Sequence, residues 1–369
     1  MDSAPQARPS HLPTLDGWRA VAILSVVLYH STLLKAGFFS TWWFWRYGNR
    51  GVDVFFAISG LLITTKLLEE EKATTTISLR AFYMRRAFRI LPPALLFLFT
   101  IALLGGTGLI PVSGGEIFSA LFFTRNYSRM FHLDQLLHPP WFTNHFWSLS
   151  IEEHFYLLLP ALLFFTRGKG RIATLGAVSL CVIAHRYLVL THRAWLPVQF
   201  HTDIRLDGLM IPALFAVLSN SAVYGERFNV FIRKWHVVFL LGFLIFVQWP
   251  EKSALQATAI ALVLPGIVLG TVLQPKSLWT QILEWSPLRW IGRISYSLYL
   301  WQQLFFTDRF LGTRPLGRIE GWPLNLGLTF LVAALSYYGV ERPLVRLGHR
   351  LTRRRPKSVT AIEAVQTAG

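Results

Sequence analysis

Few ionisable residues interrupt the long apolar runs of this sequence, and two of them share the first run. Arg19 opens LDGWRAVAILSVVLYHS (residues 15–31) and His30 nearly closes it. Eleven positions make about 16 Å along a helix axis and about three turns, so both side chains lie on one face, with Ala22, Ile23 and Val26 between them. Arg19 can snorkel to the headgroups, whereas His30 lies at least half-way across a ~30 Å hydrocarbon core. An imidazole at that depth either faces a polar cavity, where it can take and return a proton, or is hydrogen-bonded to a neighbouring helix. Asp53 begins the second apolar run, GVDVFFAISGLLIT. It reads equally as an N-cap and as a group that orients or charge-stabilises an imidazole on its side of the membrane. In HFWSLSIEEHFYLLLP, Ser148 and Glu152 are spaced i, i+4 and share a helix face. A carboxylate there is costly unless paired, so Glu152 reads either as sharing a proton with His30 or as an acid favoured at a helix's positive end.

Arg86 and Arg89, in SLRAFYMRRAFRILPPALL, are spaced i, i+3, while Arg85 points elsewhere. Planar guanidiniums on one face suit phosphate oxygens. The same pair also reads as topology charge or a lipid-phosphate contact. The stretch 111–147 carries Asn126, Tyr127, His132, Asp134, His138, Trp141 and His145. Such a set suits sugar binding, and it is equally typical of an interfacial aromatic belt. Arg205 and Asp207 in HTDIRLDGLM read as structural partners for other loops, and Glu341–Arg342–Pro343 as a local ion pair and helix stop. No metal site is assigned.

The elements that position these residues are membrane helices. Of 369 residues 53% are hydrophobic and only 15% charged, against about 25% charged in soluble domains. The sequence therefore predicts an all-α polytopic bundle of about ten membrane helices, over roughly 15–34, 52–68, 90–110, 146–166, 172–190, 205–219, 237–250, 254–273, 290–308 and 322–340. Pro92 and Pro93 fit the first turn of the third helix or a break just inside it. The net charge of +17 reflects basic loops on one side of the membrane. No basic run is interleaved with aromatics on a soluble surface, which argues against nucleic acid. The single cysteine, Cys181, allows no intrachain disulfide. The first helix reads as a retained signal anchor, and the basic tail after residue 345 as a cytoplasmic end that touches anionic lipid. The domain reading is a cytoplasmic tail over 1–14, a transmembrane domain over 15–345 and a basic cytoplasmic tail over 346–369.

Taken in order, these pieces resemble the acyltransferase-3 family of bacterial inner-membrane O-acyltransferases. The resemblance rests on Arg19-x10-His30, GVDVFFAISGLLI, Arg86-x-x-Arg89, Ser148-x-x-x-Glu152 within WSLSIEEHFYLLLP, RLDGLM, IGRISYSLYLW and VERPL, and runs from about 14 to 345. It implies a multi-pass inner (plasma) membrane enzyme that takes an acyl group, acetyl by preference, from cytoplasmic acyl-CoA. The group is delivered to a hydroxyl of an extracytoplasmic glycan or glycolipid, such as cell-envelope polysaccharide or lipopolysaccharide. Acyl-CoA enters as donor substrate; no permanently bound cofactor and no oligomeric state are assigned. By the resemblance His30 is the catalytic base, with Glu152, Asp53 and Arg19 beside it, and Arg86 and Arg89 belong to the donor-binding face. Ser148, His145, Asn126, Arg205 and Asp207 are the acceptor-side candidates. One departure stands out: the family often has His after the Trp of YLW, and here that position is Gln302, which puts its catalytic use in doubt. The family's appended hydrolase-like domain has no room in this chain. The rival classes are a transporter or flippase that uses the same charges as a pathway, and a binding protein with an inactive site. Thioester cleavage that depends on His30 separates the enzyme from both.

With the N-terminus inside, cytoplasmic segments carry 24 Lys and Arg and the opposite side 12, so the positive-inside rule puts both termini in the cytoplasm. Cysteines introduced near residues 130 and 360 are expected to differ, only the first reacting with an impermeant thiol reagent applied from outside. Labelling of both from outside reverses the topology.

Overall fold

The computed structural model describes residues 12–31, 48–128, 130, 141–192, 200–249, 253–307 and 311–352. His132, Asp134, His138, the first eleven residues and the tail from 353 lie outside the described residues. Among the described residues the fold is helical, with no strand. In chain order the helices are α1 (Pro13–His30), α2 (Gly51–Thr74), α3 (Leu79–Gly106), α4 (Gly114–Leu121), α5 (Trp141–Asn144), α6 (Phe146–Phe165), α7 (Lys169–His192) and α8 (Thr202–Arg205). They continue with α9 (Asp207–Ser219), α10 (Gly225–Phe246), α11 (Ala254–Val272), α12 (Leu278–Leu283), α13 (Ser286–Arg293), α14 (Ser295–Phe305), α15 (Leu324–Ser336) and α16 (Arg342–Thr352).

Seven helical stretches among the described residues are long and apolar enough to cross a membrane: α2, α3, α5–α6, α7, α10, α11 and α15–α16. The other three apolar segments of the sequence are α1, the 13-residue α9 and the pair α13–α14. Their apolar surfaces point both ways. Phe97, Phe146, Phe155 and Leu159 are buried in the bundle, while Leu95, Phe99 and Leu103 of α3 and Val237, Leu241 and Ile245 of α10 face outward. Outward apolar stripes of this extent are the surface a lipid tail requires. The chain is a multi-pass membrane protein.

Three helices differ from the sequence reading. α3 starts at Leu79 and passes through Pro92 and Pro93, which sit inside it rather than at its first turn. Tyr296 donates to the carbonyl of Ile90, just before the prolines, at 3.0 Å; the carbonyls that the prolines leave without an N–H partner are those of Phe88 and Arg89, and prolines inside a helix are tolerated in membrane bundles. α10 begins twelve residues before its apolar core, because the polar stretch GERFNVFIRKWH is helical without being hydrophobic. The last helix does not stop at Glu341–Arg342–Pro343. A π-helical turn over Tyr337–Glu341 carries the chain into α16. Glu341 accepts a hydrogen bond from Ser297 at 2.9 Å and is buried, and Arg342 lies over the Tyr338 ring, so the two do not form a local ion pair.

α1 is held at the centre by close backbone crossings. A Cβ on Gly292 of α13 would stand 1.8 Å from the carbonyl oxygen of Asp16, and one on Gly17 would stand 2.1 Å from that of Leu283. Only glycine fits at either crossing. The predicted stripe Ala22, Ile23 and Val26 is buried.

At the end of the bundle that holds His30, polar groups are tied into pairs. Asp53 is not an N-cap: α2 starts at Gly51, and the Asp53 carboxylate lies 2.5 Å from Arg205 and 3.4 Å from Arg50. Arg50 also donates to the buried Gln256 at 2.9 Å. Asp207 receives both terminal nitrogens of Arg186 at 2.8 Å, and Arg186 further donates to the Ile204 carbonyl at 2.9 Å and to Thr258. Both partners are 2% exposed, so each depends on the other for its solvation. Removing one member of such a pair costs about 3–5 kcal/mol, whereas replacing both by apolar groups costs little. Arg186→Met is therefore expected to lower the unfolding temperature in detergent markedly, and Arg186→Met combined with Asp207→Leu to recover most of the loss. An unchanged unfolding temperature in the single variant contradicts this account of the pair.

Candidate active site

Two cavities open within the bundle on the side of α1 that carries Arg19. The larger, about 970 Å³, is lined by the start of α1, the second half of α2, the start of α3, and parts of α10, α11 and α16. Its basic lining is Arg19, Lys66, Arg85, Arg86, Arg89 and Arg233, against Asp16, Glu69, Glu70 and Glu284. The smaller, about 80 Å³, is lined by Ser59, Ser148, Glu152, Glu153, Tyr156, Ser295, Tyr296 and Tyr299 among apolar residues. Arg19, Leu62, Ile63, Arg86 and Arg89 line both, so the two cavities share a wall that holds three guanidiniums.

Two of these arginines have a local contact that places them on the wall. Arg19 is one turn from the buried Asp16 and lies 3.3 Å from it. Arg86 stands over the Tyr156 ring at 4.4 Å, a cation–π contact. Arg85, one position away on the helix, turns to Glu70 at 2.9 Å and lines only the large cavity. The sequence singled out Arg19, Arg86 and Arg89; Lys66 and Arg233, on helices read as ordinary spans and loops, gave no signal of their own.

In the smaller cavity Glu152 accepts from the Tyr156 hydroxyl at 3.0 Å and from Ser59 at 3.3 Å. The Ser148 and Tyr299 hydroxyls lie 2.6 Å apart, and both lie within reach of the His145 carbonyl oxygen, at 3.2 and 3.1 Å; with one proton each, one hydroxyl donates to the other while the other donates to that carbonyl. His145 itself is buried between Phe97 and Tyr299, and neither ring nitrogen has a hydrogen-bond partner.

His30 lines neither cavity. Its Nδ1 lies 2.7 Å from Oε1 of Gln302, and the Trp141 ring meets it edge-on at 5.2 Å. A hydrogen-bond partner of His30 is thus Gln302, a residue the sequence marked only as a departure. Asp53 pairs with arginines and Glu152 with hydroxyls, so neither touches His30. α14 joins the two regions: Ser295 and Tyr299 line the small cavity, and Gln302 lies three residues on, at the i, i+3 spacing that puts neighbours on one helix face. From Ser295 to Gln302 is about 10 Å of helix rise.

The remaining acceptor-side candidates are elsewhere. Asn126 donates to Thr202 at 2.9 Å, next to His154, whose Nδ1 lies 2.7 Å from the same hydroxyl. Tyr127 donates to Asp203 at 2.7 Å, and burial together with that carboxylate pushes its phenol up to about 12. Arg205 and Asp207 serve the ion pairs already described. Among the described residues no group of His, Cys, Asp and Glu has the arrangement of a metal site.

The described residues thus form a membrane-spanning bundle with a basic vestibule, a smaller polar pocket behind it and a histidine further along the same helix as Arg19. Comparison with known proteins gives its family. The acyltransferase-domain profile of the acyltransferase-3 family matches residues 12–340, and the chain belongs to that family. It is 30% identical over 374 residues to the O-acetyltransferase OatA of Staphylococcus aureus, an alignment covering 93% of this chain and 58% of that protein. It is 30% identical over 371 residues to YrhL of Bacillus subtilis, covering 94% and 56%, and 28% identical over 372 residues to the peptidoglycan O-acetyltransferase OatA of Listeria monocytogenes, covering 92% and 56%. The chain thus spans a little over half the length of these relatives. No solved structure matches it.

Proposed function

We propose that this chain is a membrane O-acetyltransferase that takes an acetyl group from acetyl-CoA held in the Arg19-side vestibule and passes it to a hydroxyl of a cell-wall glycan at the His30 end. The observation that carries this reading is the wall shared by the two cavities. Three guanidiniums on it, with Lys66, Arg85 and Arg233 behind, suit the phosphates of coenzyme A in charge and geometry. All six come from segments that the charge asymmetry assigns to the cytoplasm, where acyl-CoA is found. Supporting the acceptor class, one relative is named for O-acetylation and another for peptidoglycan, which favours peptidoglycan over lipopolysaccharide.

In this reading the nucleotide stays in the vestibule and the pantetheine arm carries the thioester through the small pocket, past Ser148 and Tyr299, towards His30. The Arg19-to-His30 separation of about 16 Å along α1 is the depth the arm covers. The acceptor oxygen attacks the thioester carbonyl as the neutral imidazole takes its proton. The carbon–sulfur bond breaks, and the coenzyme A thiolate leaves and is protonated in turn by the imidazolium. General-base help of this kind contributes about 10²–10⁴-fold. The Ser148 and Tyr299 hydroxyls line the route, and one of them can turn its proton from the His145 carbonyl to the thioester oxygen. Glu152 keeps Tyr156 in place beneath Arg86, a support for the donor wall rather than for His30. Asp53, in the same reading, is a charge that solvates Arg205 and Arg50. The lipid bilayer surrounds the bundle.

Two outcomes test the reading in reconstituted full-length protein with acetyl-CoA and peptidoglycan oligosaccharides. His30→Ala is expected to abolish acetyl transfer while inserting normally, and normal turnover by well-inserted protein sinks the mechanism and favours the transporter class. Arg86→Lys and Arg89→Lys keep the charge but lose the planar fork. Charge-assisted hydrogen bonds are worth about 1.5–3 kcal/mol each, so the alanine variants are expected to raise the donor KM roughly 10- to 150-fold, and the lysine variants by less. Acceptor KM should stay where it is. Unchanged donor affinity and rate in both lysine variants return these arginines to a topology role.

A further inference from the structure

The contact between His30 and Gln302 is one end of a chain whose direction the main chain sets. At its far end, Nε2 of Gln303 lies 2.7 Å from the carbonyl oxygen of Trp141. A main-chain carbonyl only accepts, so the Gln303 amide must present its nitrogen there and turn its oxygen the other way. The return bond, from Trp141 Nε1 to the Gln303 carbonyl at 2.9 Å, locks the same two residues together. The Gln303 side-chain oxygen then accepts from Nε2 of Gln302 at 3.1 Å. That leaves Oε1 of Gln302 as the group facing Nδ1 of His30, at 2.7 Å. Facing an oxygen, Nδ1 carries the proton. Both glutamines are buried, at 0% and 1% exposed, so water does not compete for the amides.

We infer that Gln302 is the positioning residue of His30: it holds the imidazole as the Nδ1–H tautomer, so that Nε2 keeps the lone pair, and Gln303 with the Trp141 carbonyl fixes the polarity of Gln302. The inference rests on the proposed role of His30 as base and adds which nitrogen does the work. A histidine's working nitrogen is selected by the hydrogen bond that the other nitrogen makes, and the Trp141 ring, edge-on to the imidazole, limits its rotation. An amide does this without adding charge. A carboxylate at the same place would favour imidazolium and take the base out of its neutral form at higher pH.

The test uses full-length protein in lipid nanodiscs with acetyl-CoA as donor. Nitrogen-15 NMR of labelled histidine, with the His30 signals identified by their loss in His30→Ala, is expected to show Nδ1 protonated and Nε2 unprotonated at neutral pH. In Gln302→Met, which keeps the length and volume of the side chain, the tautomer preference is expected to relax. kcat should fall about 10- to 100-fold, the loss that metal-bound histidines show when their orienting partner is removed, with donor KM unchanged. In Gln302→Glu the acid limb of the kcat/KM profile is expected to move up by about one pH unit or more, because a base with a raised pKa loses its neutral form sooner as pH falls. A wild-type His30 protonated on Nε2, a Gln302→Met protein with wild-type kcat, or a Gln302→Glu profile with its acid limb unmoved overturns the inference. Activity retained by His30→Ala with the Nδ1–H tautomer present would remove the base and leave the positioning, so the two readings fail separately.

Discussion

A charged side chain inside a bilayer persists only where protein groups or enclosed water replace the solvent it has lost, and this bundle meets that requirement differently at its two ends. At the His30 end the charges are consumed by each other: Arg186 by Asp207, and Arg205 and Arg50 by Asp53. At the Arg19 end the pairing is partial: Arg85 is held by Glu70, and the three guanidiniums on the shared wall are less closely matched. Arg86 rests on an aromatic face, and Arg19 lies against one carboxylate at a long 3.3 Å. Arg19, Arg86 and Arg89 all line open cavity. Under the proposed function, guanidiniums that line a cavity rather than a packed core are the groups left to meet an anion.

The same division organises the route along the bundle. α1 crosses α13 so closely that only glycine fits, which pins the helix carrying both Arg19 and His30. α14 then lays Ser295, Tyr299 and Gln302 at helical spacing, from the small cavity to the imidazole. Under the proposed function, a donor that enters beside the arginines meets hydroxyls next and the histidine last, an order that keeps its charged nucleotide near water and brings only the thioester carbon to His30.

Much of this was legible from spacing. The eleven-residue interval put Arg19 and His30 on one face of one helix, the i, i+3 interval did the same for Arg86 and Arg89, and the pairing of Arg205 and Asp207 with other segments followed from the cost of burying charge. Spacing does not give the angle between helices, and there the reading stopped. Asp53 and Glu152 sit on the helices expected to serve His30, yet they point at arginines and at hydroxyls. Gln302 looked like a lost catalytic position because an amide has no acid–base chemistry; its value lies in polarity inherited from a carbonyl 161 positions away in sequence, which no local pattern records. Pro92, Pro93 and the Glu341 turn differ from the sequence reading for a related reason, since membrane helices run on through residues that usually end soluble ones.

The central claim is that donor and acceptor enter from opposite ends and meet along α1. The most direct measurement is an experimental structure of the full-length protein in lipid with coenzyme A bound. The account predicts its phosphates against Arg86 and Arg89 in the large cavity, with the thiol end in the small pocket beside Ser148 and Tyr299 and aimed at His30. Phosphates seated instead at the Asp53–Arg205 end, or a thiol directed away from α14, would contradict it.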